Sequence, residues 1–164
     1  MIVMGIDPGT ATTGYGLVKE NEDGSLAVVD FGAIQTQPDR SMAERLLLLY
    51  LDLKKIILLY RPHSGAVEKL FFQRNVRTAI SVGQGRGVAL LALAEANLPV
   101  GEYSPMEIKQ AVAGYGGADK FQVGSMVRAL LGLTEVPRPD DAADALAIAI
   151  CHLHSSRMRA LTQD

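Results

Sequence analysis

A carboxylate ends the apolar run MIVMGID, and the chain then breaks into PGTATTG before apolar residues resume. Burying an unpaired carboxylate among Ile, Val and Met is costly. Any fold that uses this run as a core strand must therefore supply Asp7 with a proton, a partner or a cation. The run is short, β-branched and bounded by Pro-Gly, so it reads as a buried strand. TGYGLVKENEDGSLAVVDFGAIQT continues as two more strands turning at Asp23-Gly24, which makes three antiparallel strands at the start of the chain.

Helix signals begin at Ser41. With Glu44 three residues on it forms a capping box, and Leu46, Leu49, Leu53 and Ile57 keep one helical face until Arg61-Pro62. A short strand from Ala66 to about Glu68 follows, then a polar loop from Gln73 to Arg77 and a helix from Thr78 to Asn97. That helix carries Gly83, Gly85 and Gly87, although each glycine costs about 0.5–1 kcal/mol against alanine in a helix interior. Close backbone approach, inside the fold or from a second subunit, is the usual reason for accepting that cost. PVGEYS reads as a fifth strand, and Ser104-Pro105 with Glu107 opens a helix that Gly114 closes. The loop YGGADK leads to the helix FQVGSMVRALLGL, and the Pro-rich EVPRPDD leads to a last helix, AADALAIAICHLHSSRMRA. The expected architecture is α/β: a mixed five-stranded sheet flanked by helices, in one domain spanning residues 1–164.

Four acids stand where such a fold could gather them. Asp7 ends the first strand, Glu68 ends the fourth, and Asp141 and Asp144 project from one face of the last helix. If strands one and four are neighbours, all four carboxylates reach one point above the sheet. Their mutual repulsion then calls for protons or divalent cations. An all-oxygen donor set suits Mg²⁺ or Mn²⁺, and two such ions together can activate water and stabilise a leaving oxygen in phosphodiester hydrolysis. Helix-start acids are also favoured by the macrodipole, and Asp140 or Asp141 equally fits an N-cap. His152 and His154 cannot share a helix face, so with His63 they read as structural or surface residues rather than zinc ligands.

The net charge of −2 hides a division along the chain. Residues 1–53 hold 3 Lys/Arg and 8 Asp/Glu, whereas residues 54–128 hold 10 Lys/Arg and 5 Asp/Glu, a local +5. A polyanion could bind that middle segment despite the acidic total. The single cysteine, Cys151, excludes a disulfide within the chain, and no apolar stretch reaches membrane-spanning length. No membrane association is expected, and a reducing cytoplasm is the expected setting.

GIDPGTATTGYG, VEKLFFQRNVRTAISVGQGRGV, YSPMEIKQAVAGYGGADKFQV and DDAADALAIAICHLH together resemble the RuvC family of Holliday-junction resolvases, within the ribonuclease H-like superfamily, over nearly the whole chain. The resemblance implies that Asp7, Glu68, Asp141 and Asp144 are the catalytic, metal-binding acids, with Asp140 an extra acid beside the third. It implies a homodimer that nicks opposed strands of a four-way junction symmetrically during recombination and repair, using two Mg²⁺ (or Mn²⁺) ions per site, in partnership with the RuvA and RuvB branch-migration proteins. It also places Phe71 at the crossover, where an aromatic ring can stack on an unpaired base, with Phe72 as an addition or a core residue. Arg74, Arg77, Arg86, Lys109 and Lys120 would meet phosphates, and Gly83 and Gly87 would lie at the dimer interface. Three other readings stay open. DPGTATTG also resembles the phosphate loop of sugar kinases and actin-like ATPases, although those need two such domains. The YqgF-like nucleases share the first motif but lack the DDAADALAIA ending. A binding protein that holds junctions without cutting them would fit everything except the four acids.

Overall fold

The computed structural model describes residues 1–69 and 76–162. Strands β1 (Ile2–Asp7), β2 (Thr12–Glu20) and β3 (Leu26–Gln35) form the expected antiparallel meander, followed by β4 (Ser64–Glu68) and β5 (Val100–Tyr103). The sheet order is β3-β2-β1-β4-β5. β1 is thus central, antiparallel to β2 and parallel to β4, and β4 is parallel to β5. The helices among the described residues are α1 (Met42–Tyr60), α2 (Val76–Glu95), α3 (Pro105–Ala113), α4 (Lys120–Leu130) and α5 (Asp140–Thr162). None is long and apolar enough to cross a membrane.

Side chains alternate across a strand, and here that alternation builds two cores. Val3, Val18 and Ala66 point to one face, under α3, α4 and α5 with Leu146, Ile150 and Val127. Their chain neighbours Met4, Leu17 and Val67 point to the other face, under α1 and α2 with Leu49, Leu53 and Leu93. The long apolar runs of β1 and β4 follow from being covered on both faces.

Helix starts match the cap chemistry. The Glu44 amide donates to Ser41 Oγ at 3.2 Å and the Ser41 amide to Glu44 Oε2 at 3.0 Å. Ser104 and Glu107 repeat the arrangement at α3. α1 closes on Arg61 and α3 on Gly114, both left-handed. Several boundaries differ from the sequence expectation by a few residues, among them the start of β4 at Ser64 instead of Ala66 and of α5 at Asp140 instead of Ala142. α2 begins at Val76 instead of Thr78. α4 begins at Lys120 instead of Phe121, because Asp119 caps it: the Gln122 amide donates to Asp119 Oδ1 at 2.8 Å, and the Asp119 amide to Gln122 Oε1 at 2.9 Å.

Candidate active site

Strand parity brings the first two acids together. Asp7 shares the sheet face of Val3 and Gly5, and Glu68 shares that of Ala66, which is the face that α5 covers. Parallel register pairs Ile6 with Val67, so Asp7 and Glu68 leave adjacent strand ends side by side. The condition set by the sequence, that strands one and four be neighbours, is met.

The other two acids arrive because α5 lies almost on the sheet backbone. Gly5 pairs with Gly16 and Asp7 with Gly14 across β1 and β2. A Cβ at Gly5 would collide with the Ala145 carbonyl, one at Gly14 with the Asp141 carbonyl, and one at Gly16 with Leu146. Glycine within a strand often marks such close approach. The small residues Ala142, Ala145 and Ala149, all fully buried, form the matching surface of α5. This contact sets the first turns of α5 over the end of β1, carrying Asp141 and Asp144 to Asp7.

The electrostatics register that gathering. Burial, then the charges of Asp144, Asp141 and Glu68, push the Asp7 carboxyl up to about 8, against a smaller opposing effect of Lys120. Burial and Asp144 raise Glu68, with Lys109 opposing. Burial also raises Asp144, opposed by Lys120 and by a hydrogen bond with Asp7. Without a cation, the site thus favours a protonated Asp7, hydrogen-bonded with Asp144. Lys120 Nζ lies 3.2 Å from Asp140 Oδ2 and 3.8 Å from Asp144 Oδ2. Asp144 above all, then the hydrogen bond to Asp140, raises the lysine's own pKa. Glu68, Lys109, Lys120 and Asp144 line one cleft of about 220 Å³, floored by Ile108, Ala147 and Ile148. Of the four acids only Glu68 and Asp144 line this cleft, and among the described residues no three His, Cys, Asp or Glu side chains already form an ion shell.

The turn after Asp7 closes on itself. The Gly9 amide donates to Thr13 Oγ1 at 3.2 Å, the Thr13 hydroxyl donates to the Gly9 carbonyl, and the Thr10 and Ser81 hydroxyls meet at 2.5 Å. The Gly9 amide, which a phosphate loop would present outward, is thus spoken for.

The remaining expected residues fall in different places. Lys109 and Lys120 stand in the cleft. Arg77 is exposed in the first turn of α2. Phe71, Phe72 and Arg74 lie outside the described residues. Arg86 is not displayed to solvent with the lysines: its side chain is 18% exposed, and its guanidinium engages the Glu68 carbonyl and Glu102. Gly85, flagged as costly but not an interface candidate, packs on the Gly9 backbone, whereas a Cβ at Gly87 would meet nothing within 4 Å. Gly83 is partly buried on the same helix. His152 is structural, with Nδ1 2.8 Å from the Tyr103 hydroxyl and Nε2 2.9 Å from Ser64 Oγ. His63 Nδ1 accepts the Ile2 amide at 3.1 Å, and His154 Nδ1 lies 3.0 Å from the Ala111 carbonyl. Sequence reading missed the glycine strip under α5 and the Asp119 cap that seats Lys120. The signals were present, as glycines inside strands and as a D-x-x-Q box.

Comparison with known proteins agrees with this geometry. The family model described as crossover junction endodeoxyribonuclease RuvC matches residues 3–152. A Chloroflexus aurantiacus crossover junction endodeoxyribonuclease RuvC is 60% identical over 156 residues, 95% of this chain and 94% of that protein. The structure of Thermus thermophilus RuvC superposes with a TM-score of 0.90 at 41% identity, covering 96% of each chain. The T. thermophilus protein in complex with a Holliday junction substrate gives 0.88 at 38% identity, again covering 96% of each. With two sheet-end carboxylates set beneath two helix-borne ones, and with matches that run nearly end to end, this chain belongs to the RuvC family of crossover junction endodeoxyribonucleases.

Proposed function

We propose that the acidic cleft is the nuclease site of a Holliday-junction resolvase, and that Asp7, Glu68, Asp141 and Asp144 hold its divalent metal. The observation that carries this reading is the convergence of Asp7 and Glu68, on adjacent strand ends, with Asp141 and Asp144 of the helix packed over them; burial and these neighbouring acids push the Asp7 carboxyl up to about 8. Such a cluster fits hard cations bound through oxygen alone, which would remove the repulsion that keeps Asp7 protonated. Mg²⁺ or Mn²⁺, two ions per site held by these acids, would supply activated water and charge neutralisation at the scissile phosphate. Asp141 is preferred to Asp140 as a ligand, since Asp141 acts on Asp7 while Asp140 is engaged by Lys120. Lys109 and Lys120 face the same space, placed to offset negative charge developing on phosphate oxygens. Phe71 or Phe72 at the crossover, with Arg74 and Arg77 on phosphates, completes the DNA contact in this reading. RuvA and RuvB are the proposed partners, and the cytoplasm is the proposed setting.

The test uses a labelled synthetic four-way junction and a linear duplex of the same sequence, each with Mg²⁺, with Mn²⁺ or with chelator. Paired symmetric nicks in the junction only, dependent on metal, are expected. Tight binding without nicks under either metal would favour a protein that only holds junctions, and cutting of both substrates would make it a general nuclease.

The two-fold symmetry of the substrate calls for a homodimer, and α2 offers a surface for one. Ile80 and Leu91, 58% and 59% exposed, flank Gly87 at helical spacing, with Leu58 of α1 also exposed nearby. Gly83 lies one turn from Gly87. Because a Cβ at Gly87 would meet nothing within 4 Å among the described residues, Gly87→Leu tests an intermolecular contact at that position. Sedimentation should show a shift toward monomer; an unchanged dimer would move the interface elsewhere.

A further inference from the structure

Arg86 has the charge of a phosphate ligand but the surroundings of a brace. It extends from α2 toward the ends of β4 and β5. Its Nε donates to the Glu68 carbonyl at 3.2 Å and its Nη2 to Glu102 of β5. Glu102 is the register partner of Val67, and Tyr103 that of Glu68, so the guanidinium spans the two strands at their last rung. One further tie holds this point, the Lys69 amide donating to the Tyr103 carbonyl at 2.7 Å. Neither Arg86 contact uses the Glu68 carboxyl, and Glu68 lines the cleft with Asp144 and Lys109. Arg86 thus grips the backbone of Glu68 and leaves its carboxylate to the cleft.

We infer that Arg86 is a positioning residue, which locks the end of β4 to β5 through Glu102 and so sets the direction in which Glu68 presents its carboxylate. The inference rests on the reading of Glu68 as a metal-holding acid. A planar guanidinium can hold two acceptors in fixed geometry, whereas a lysine ammonium is a point charge on a flexible stem. Arg86→Lys keeps the charge and loses the fork; Glu102→Gln keeps Arg86 and weakens its anchor.

Both variants are to be compared with the parent and with Glu68→Gln. The measurements are junction affinity in chelator across a salt series, Mn²⁺ binding to the DNA-free protein by calorimetry, and cutting as a function of Mg²⁺. Loss of a residue that orients a metal ligand typically costs about 10–100-fold in metal affinity or activity. Arg86→Lys should therefore weaken Mn²⁺ binding and raise the Mg²⁺ needed for half-maximal cutting by about tenfold or more, with junction affinity in chelator unchanged. Glu102→Gln should shift both in the same direction, and its conservative change at a surface carboxylate covers the case of an Arg86 variant that does not fold. If an Arg86 variant that keeps its metal binding instead lost junction affinity, with a flatter salt dependence, Arg86 would be a phosphate contact and the inference overturned. Parental metal dependence in both variants, with Glu68→Gln inactive, would overturn the inference alone. Parental cutting by Glu68→Gln would overturn the reading of Glu68 beneath it.

Discussion

Asp7→Asn is expected to reduce junction cutting at least ~100-fold, about 2.7 kcal/mol in the barrier, while leaving junction binding intact. Asparagine keeps the size of the side chain and loses the negative charge with which Asp7 is proposed to hold the metal. The same change should stabilise the metal-free protein, and the sign follows from protonation. Asp7 titrates at about 8 when folded, against 3.8 for a free carboxyl. The folded state therefore binds the extra proton between these values. The contribution of Asp7 to stability is fully present below pH 3.8 and is lost as pH rises toward about 8. The substituted asparagine cannot ionise, so the variant's advantage in melting temperature should be small at pH 5 and largest at pH 8. Mg²⁺ should then raise the melting temperature of the parent more than that of the variant, because only the parent keeps the full set of acids. Thermal melts at both pH values, with and without Mg²⁺, check this beside the junction assay. A melting advantage that did not grow with pH would remove the electrostatic account of Asp7.

Gly14→Ala is expected to damage the protein more than its single methyl suggests. The added Cβ would meet the Asp141 carbonyl and lie 2.9 Å from the Ala142 nitrogen. These are backbone atoms of a helix packed along β1 and β2, so no side chain can swing aside. Overpacking of this kind costs about 1–3 kcal/mol, or about 3–9 °C in melting temperature for a chain of this size. The larger effect falls on cutting, since the displaced first turn of α5 carries Asp141 and Asp144. A shift of about 1 Å in a catalytic group can cost about 100-fold. Circular dichroism melts with junction assays should show a folded but less stable protein that scarcely cuts. Full activity would mean that α5 does not rest on the glycine strip as described.

Much of the site was legible because its reasons are local. A carboxylate inside an apolar strand is costly wherever that strand is buried, and this alone singled out Asp7. The capping boxes at Ser41 and Ser104 need only four consecutive residues, and the structure contains both. Glu68 and the pair on α5 followed from element ends and helical spacing. The box at Asp119 was equally local but lay within a glycine-rich stretch that reads as a loop. Phe71, Phe72 and Arg74 rest on the family resemblance and lie outside the described residues.

The glycines and Arg86 show where local reading stops. The cost of Gly83, Gly85 and Gly87 can be read from the chain, but not which of them admits a neighbour. Gly85 admits the backbone of Gly9, and Gly87 faces open space. Arg86 looks like any basic residue of the middle segment until β5 places Glu102 beside it, 16 residues away in sequence. By itself the sequence determined the α/β class and most of the elements, and it singled out four acids as candidates, because period, caps and the cost of a buried charge act over a few residues. Only the tertiary structure decided that α5 lies on bare glycine backbone and that one arginine turns inward to grip Glu68. Contacts between distant segments depend on which surfaces meet, and no local preference carries that.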